Sequence, residues 1–266
     1  MEETLGEAAE NGNVSEVKDI LRTNPFLDVN WKNLYWDSNA ALHWACGNNH
    51  DAVVAILLAH PGIDVNLKNE NKASSFWRAS QRGNVSCVKL MLCDSRVDLN
   101  EANYYDHTPL SMSAYNGHLE IIRWWIASGR EMNLGRPGHA DSIASAKELD
   151  LCHNPDCRRR KHDIANLLER FKENPVETRN GLRIELGWYT EAAAEVFALV
   201  VFLSDGLLHV RQRYQSTSPA ARFFEIANRL PMELQQVLCR RVVGSGRERI
   251  HVNYCEAAFK RLVPLL

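Results

Sequence analysis

Apolar side chains in the first two thirds of the chain fall in short bursts at helical spacing, separated by polar turns. Residues 52–58 and 119–126 are two of the longest bursts, and each is preceded by a shorter apolar stretch that reads as a first helix. Between the bursts a tripeptide returns as Asp28-Val29-Asn30, Asp64-Val65-Asn66, Asp98-Leu99-Asn100 and a looser Glu131-Met132-Asn133, with gaps of 36, 34 and 33 residues. Leu42, Phe76 and Leu110 keep the beat at 34, Ile143 follows at 33, and Asn49, Gly83 and Gly117 step by 34. Self-similarity at a fixed period predicts a mainly all-α solenoid of helix-turn-helix units joined by hairpin loops. Such a stack holds together through neighbours and offers a surface for gripping, which points away from catalysis. Asp-x-Asn suits the turns, because Asn and Asp bond their own backbone there.

These residues resemble the ankyrin repeat. Its Thr-Pro-Leu-His opening is kept as Thr108-Pro109-Leu110, with Ser111 in place of His, and as Ala41-Leu42-His43-Trp44-Ala45, while Ser74-Ser75-Phe76-Trp77 keeps only the apolar third position. The Asn-Gly-His turn is intact at Asn116-Gly117-His118 and partial at Asn48-Asn49-His50 and Arg82-Gly83-Asn84. The resemblance covers about residues 3–170 and divides them into five units, at about 3–33, 34–69, 70–103, 104–135 and 136–170. The first lacks the opening motif but keeps Leu5, Ala8 and Gly12-Asn13-Val14, and its acidic start suits an N-terminal cap. In the fifth, about ten extra residues, 151–160, are expected as an exposed loop between the helices.

The resemblance implies a non-catalytic protein-binding module, a scaffold or adaptor. In the family, contacts come from the hairpin tips and the exposed edge of the first helix, on a concave face. By position these are Trp36, Asp37 and Asn39 in the second unit, Glu70, Asn71, Gln81 and Arg82 in the third, and Tyr104, Tyr105, His107, Tyr115 and Asn116 in the fourth. Trp31, Tyr35, Trp36, Tyr104 and Tyr105 all fall in expected hairpins, where aromatics anchor interfaces by burying large area at low entropic cost. Asn66, Asn100 and Asn133 match the hairpin Asn that asparaginyl hydroxylases modify in ankyrin proteins; a turn-stabilising role is sufficient for them. Arg78 stands where an apolar residue is usual, so it either loosens the third unit or meets an acidic group.

After residue 171 the period stops, and Glu173-Asn174-Pro175 reads as a break. Residues 175–266 are expected as a mostly helical region packed on or next to the last repeat, with helices near 191–203, 220–230, 231–243 and 254–262 and a short strand near 207–211. Within it, Leu230-Pro231-Met232-Glu233-Leu234 resembles the start of an F-box, which implies an alternative function as a ubiquitin-ligase substrate adaptor with a ligase component as partner. The rival reading of Leu230, Pro231, Glu233 and Leu234 is a plain helix start. Cys239 and Val243 fit a SOCS-box pattern, but Gln235 replaces its required Leu. An enzyme of unnamed reaction in this region is the remaining alternative.

Composition changes little in this picture. Residues 1–170 hold 18 basic and 23 acidic side chains, a balance of −5, against 13 and 10, or +3, in residues 171–266. Neither half is basic enough to argue for a nucleic-acid partner. No apolar run is long enough to span a bilayer, and the N-terminus shows no signal pattern, so no membrane is expected as partner. Seven irregularly spaced cysteines read as reduced thiols of an intracellular protein, cytoplasmic with the nucleus as the alternative. His43, Cys46 and His50 lie at helical spacing, but His43 is the motif histidine and His50 sits in the inter-helix turn, as His118 does. Cys152, His153, Cys157 and His162 suit zinc by type but lack the Cys-x2-Cys knuckle, so no metal and no cofactor is expected. Arg158-Arg159-Arg160-Lys161 reads as a solvated loop end, with a nuclear-import or phosphate-binding patch as its alternative.

Overall fold

A computed structural model describes residues 1–33, 37–135, 141–148, 154–187 and 239. It divides into two compact units, Met1–Leu182 and Arg183–Leu266. Apart from Cys239, which is helical and buried, the expected helices between 191 and 262, and the F-box-like segment with them, lie outside the described residues.

The first unit is a two-layer stack of paired helices. Its first helices are α1 (Glu2–Glu10), α3 (Ala41–Gly47), α5 (Ser75–Arg82), α7 (Pro109–Tyr115) and α9 (Ser142–Lys147). Its second helices are α2 (Val14–Thr23), α4 (Asp51–Ala59), α6 (Val85–Cys93), α8 (Leu119–Ser128) and α10 (Pro155–Glu173), followed by α11 (Pro175–Glu185). Each first helix packs on the next first helix and each second helix on the next second helix. The 34-residue beat is the reason. Val53, Val54 and Leu57 in α4, Cys87, Val88 and Met91 in α6, and Ile121, Ile122 and Trp125 in α8 are equivalent triplets, and all nine are fully buried. Each Val, Leu, Ile and Met among them contributes about 1.5–3 kcal/mol of transfer free energy. Phe76, the bulky replacement for the motif Leu, meets the edge of Trp125 at 5.1 Å between ring centroids.

Helix starts repeat as well. Ser74 Oγ accepts from Trp77 N and Thr108 Oγ1 from Ser111 N, each at 3.1 Å, which satisfies an otherwise orphaned amide of the first turn. At the equivalent Ala40, which has no such oxygen, His43 Nδ1 accepts from the Ala40 amide instead. The inter-helix turns place Gly12, Asn49, Gly83 and Gly117 at φ between 63° and 79°. Hairpins between units close by bridges at Asn33 with Asn39 and Lys68 with Ser74.

Three expectations need correction. The extra residues of the fifth unit are not all loop: α10 begins at Pro155, with Asn154 Oδ1 capping Asp156 N. The basic run is therefore helical, and Lys161 is buried, its ammonium donating to Glu148 O and lying 4.7 Å from the Tyr115 ring centroid. At the 173–175 break one helix does stop, but Pro175 opens another, because a proline that cannot continue a helix fits its first turn. No described helix is long and apolar enough to cross a membrane.

Candidate functional site

The Asp-x-Asn turns carry more than local geometry. Asp28, Asp64 and Asp98 each accept from the amide two residues on, as Asx-turns do. The following Asn then reaches across to the next unit. Asn30 Oδ1 accepts from Asp64 N, Asn66 Oδ1 from Asp98 N and Asn100 Oδ1 from Asn133 N, at 2.8–2.9 Å. Their amide groups donate to Gly62 O, Arg96 O and Glu131 O. This ladder sets the spacing between hairpins.

Above it, the tips join edge to edge. Glu70 N donates to Asp37 O at 3.0 Å, and Tyr104 N to Asn71 O at 2.8 Å. Asn103 Oδ1 accepts from the amides of Tyr105 and His107, and Trp77 Nε1 donates to His107 O at 2.7 Å. The tip backbone of the fourth unit is thus tied both within its own hairpin and to the third unit. Its two tyrosines remain 68 % and 66 % exposed, edge-to-face at 5.7 Å, with Lys72 Nζ 5.6 Å from the Tyr104 ring.

The outer edge of the first helices forms three rows at the repeat spacing. Trp44, Arg78 and Met112 are half-buried; Gly47, Gln81 and Tyr115 are half-buried; Asn48, Arg82 and Asn116 are exposed. The Arg78 guanidinium lies 5.8 Å from the Trp44 ring centroid, over Gly47. Its Nε is buried without a hydrogen-bond partner. Burial pushes the Arg78 pKa down, Arg82 adds to this, and Asp37 opposes it.

Of the residues expected at the interface, Asp37, Glu70, Asn71, Arg82, Tyr104, Tyr105, His107 and Asn116 are exposed, and Gln81 and Tyr115 are half-buried. Trp36 and Tyr35 lie outside the described residues, while Trp31 is 36 % exposed. Asn39 must be corrected: it is 1 % exposed, and its Oδ1 accepts from Asn69 Nδ2, so it braces the hairpin base. Asn116 is tied by its amide to Gln81 O, and Tyr115 is covered by Lys161. Positional reasoning missed Trp44 and Met112. Their place 34 residues either side of Arg78 is the signal that could have found them.

The histidines bridge units. His43 Nε2 meets Ala73 O at 3.2 Å while Nδ1 accepts from Ala40, which fixes the Nε2–H tautomer. Burial holds its pKa down at about 4, helped by the nearby Arg78 charge, although the bond to Ala73 opposes the shift. His50 and His118 lie over Gly12 and Gly83 of the preceding unit and bond Glu10 O and Gln81 O. Cys46 and Cys87 are packed core thiols, and burial pushes Cys87 up to about 12. Among the described residues, no cluster of His, Cys, Asp and Glu has the makings of a metal site. Cys152 and His153 lie outside them.

Comparison with known proteins bears directly on this geometry. Residues 5–100 and 62–136 match the family described as "Ankyrin repeats (3 copies)". Residues 5–136 are an ankyrin-repeat array. The array is similar to parts of several curated proteins. A probable E3 ubiquitin-protein ligase, XBOS32 of Oryza sativa subsp. japonica, is 29% identical over 127 residues, 47% of this chain and 25% of that protein. Human ankyrin repeat domain-containing protein 29 is 36% identical over 63 residues, 24% of this chain and 21% of its own length. The mouse serine/threonine-protein kinase TNNI3K is 30% identical over 105 residues, 38% of this chain and 12% of the kinase. The chain thus spans a quarter or less of each of these relatives. Ankyrin repeats of this kind stand beside unrelated activities, and generally bind protein.

Proposed function

We propose that this chain is a non-catalytic scaffold or adaptor that captures a partner protein on the first-helix edge and hairpin tips of its ankyrin array. The observation that carries this is the Tyr104–Tyr105 pair. Two large rings stand more than half exposed on a tip whose backbone is already fixed by Asn71, Asn103 and Trp77. A prefixed backbone loses little conformational entropy on docking, and tyrosine brings a wide apolar face with a polar end. The ligase and kinase activities named for two relatives belong to those proteins.

The test is a double substitution, Tyr104→Ala with Tyr105→Ala. Capture of the physiological partner should be abolished, while the unfolding free energy changes by no more than an ordinary surface substitution, about 0.5 kcal/mol. An equal fall in stability would assign the pair a structural role and remove the reading.

A further inference from the structure

We propose that the centre of the first-helix edge, around Arg78 and Arg82, reads a carboxylate, so that the bound polypeptide presents an Asp or Glu beside an apolar or aromatic side chain. This deepens the docking role above and rests on it.

Arg78 and Arg82 lie one turn apart on the same face of α5, a like-charge pair that repels. Neither has an ion-pair partner among the described residues; Asp37 attracts Arg78 from the hairpin tip without closing a bridge. The Arg78 Nε is buried with no acceptor. A guanidinium half withdrawn from water with no counter-charge is costly, and the group that relieves it best is a carboxylate, which its outer N–H groups can bond in a pair. The guanidinium lies within cation–π reach of Trp44, 5.8 Å from its ring centroid, and packs against Gly47, where an added Cβ would stand 3.4 Å from Nε, so the side chain is held from two sides. Trp44 and Met112, flanking Arg78 along its row, supply the apolar contacts that the acid's neighbour would meet. Residues 1–170 carry a net −5, so acidic chains are repelled by the array at large, and any attraction here is local. The same excess weighs more heavily against a phosphate dianion than against a single carboxylate.

The probe is a fluorescein-labelled random copolymer of glutamate and tyrosine, titrated with the full chain and followed by fluorescence anisotropy. Saturable binding is expected, weakened about tenfold by Arg78→Gln, in line with the loss of one charge-assisted bond pair. Arg82→Gln, at an exposed position that leaves the fold intact, should weaken it about threefold. Lys18→Gln on α2, in the other helix layer, should leave it unchanged. The carboxylate site is overturned if the wild-type chain fails to bind, if neither arginine variant differs from it, or if Lys18→Gln weakens binding as much as Arg78→Gln. The docking role is separable. Partner capture lost in the double tyrosine variant but kept in Arg78→Gln removes the carboxylate site alone.

Discussion

At the scale of single residues, burial decides protonation. His43 is neutral in the folded chain down to about pH 4, because charging it there means placing an imidazolium beside Arg78 out of reach of water. Unfolded, it takes its proton near the ordinary histidine value of 6.5. The unfolded chain therefore binds the extra proton in between. The contribution is fully present above pH 6.5 and is lost as the pH falls towards 4. Its full size is about 3 kcal/mol. Burial lowers His118 too, so it acts in the same direction. Urea denaturation at pH 7 and 4.5 should show wild type losing more stability on acidification than His43→Gln, and equal losses would remove His43 from the account. That His43 belongs to the motif was legible in the chain. That its second nitrogen meets Ala73, in the next unit, was not.

At the scale of elements, the inter-helix turn shows how one unit disciplines the next. Gly83 sits at φ +79°, and a Cβ there would fall 2.6 Å from the His118 ring. Gly83→Ala should therefore cost about 2 kcal/mol, part from the left-handed backbone and part from the crowded ring. Adding His118→Ala to Gly83→Ala should return the crowding part, so a double-mutant cycle in chemical denaturation should show coupling. Strict additivity would mean the contact is slack. The step of 34 between Asn49, Gly83 and Gly117 was visible as a turn signal. The ring that occupies the missing Cβ volume comes from another unit and has no local trace. The same holds for Arg158 to Lys161: charge alone reads as loop, and only α10 packing beside Tyr115 buries Lys161.

For the array as a whole, stability is close to a sum of neighbour interfaces, so its ends matter. At the C-terminal end α11 closes onto the second-helix layer: Arg179 Nε donates to Ile126 O at 3.3 Å, Thr178 Oγ1 to Arg170 O at 3.2 Å, and Leu182 is 6 % exposed. A fragment of residues 1–182 should melt above one of residues 1–174, by roughly 5 °C if the α11 contacts are worth 1–2 kcal/mol. Coincident melting curves would show that α11 adds nothing. Helix-pair units were readable in the chain, with the apolar bursts at 52–58 and 119–126 as second helices, whereas the buried triplets of α4, α6 and α8 emerged from the stack. The candidate face was readable in part. Tyr104 and Tyr105 stood out as tip aromatics, whereas Asn39 looked equally exposed and proved to be a buried brace.

The chain by itself determined the unit and its inward side. A helix spacing repeated every 34 residues sends equivalent side chains to equivalent places, so Leu42, Phe76 and Leu110 had to share a core. Only the stacked structure decided which side chain of one unit stands opposite which group of another. Arg78 over Trp44, Asn30 to Gly62 and Lys161 over Tyr115 are such pairings. Periodicity names the face a residue belongs to, but distances across faces follow from the rise and turn between units, which no single segment encodes.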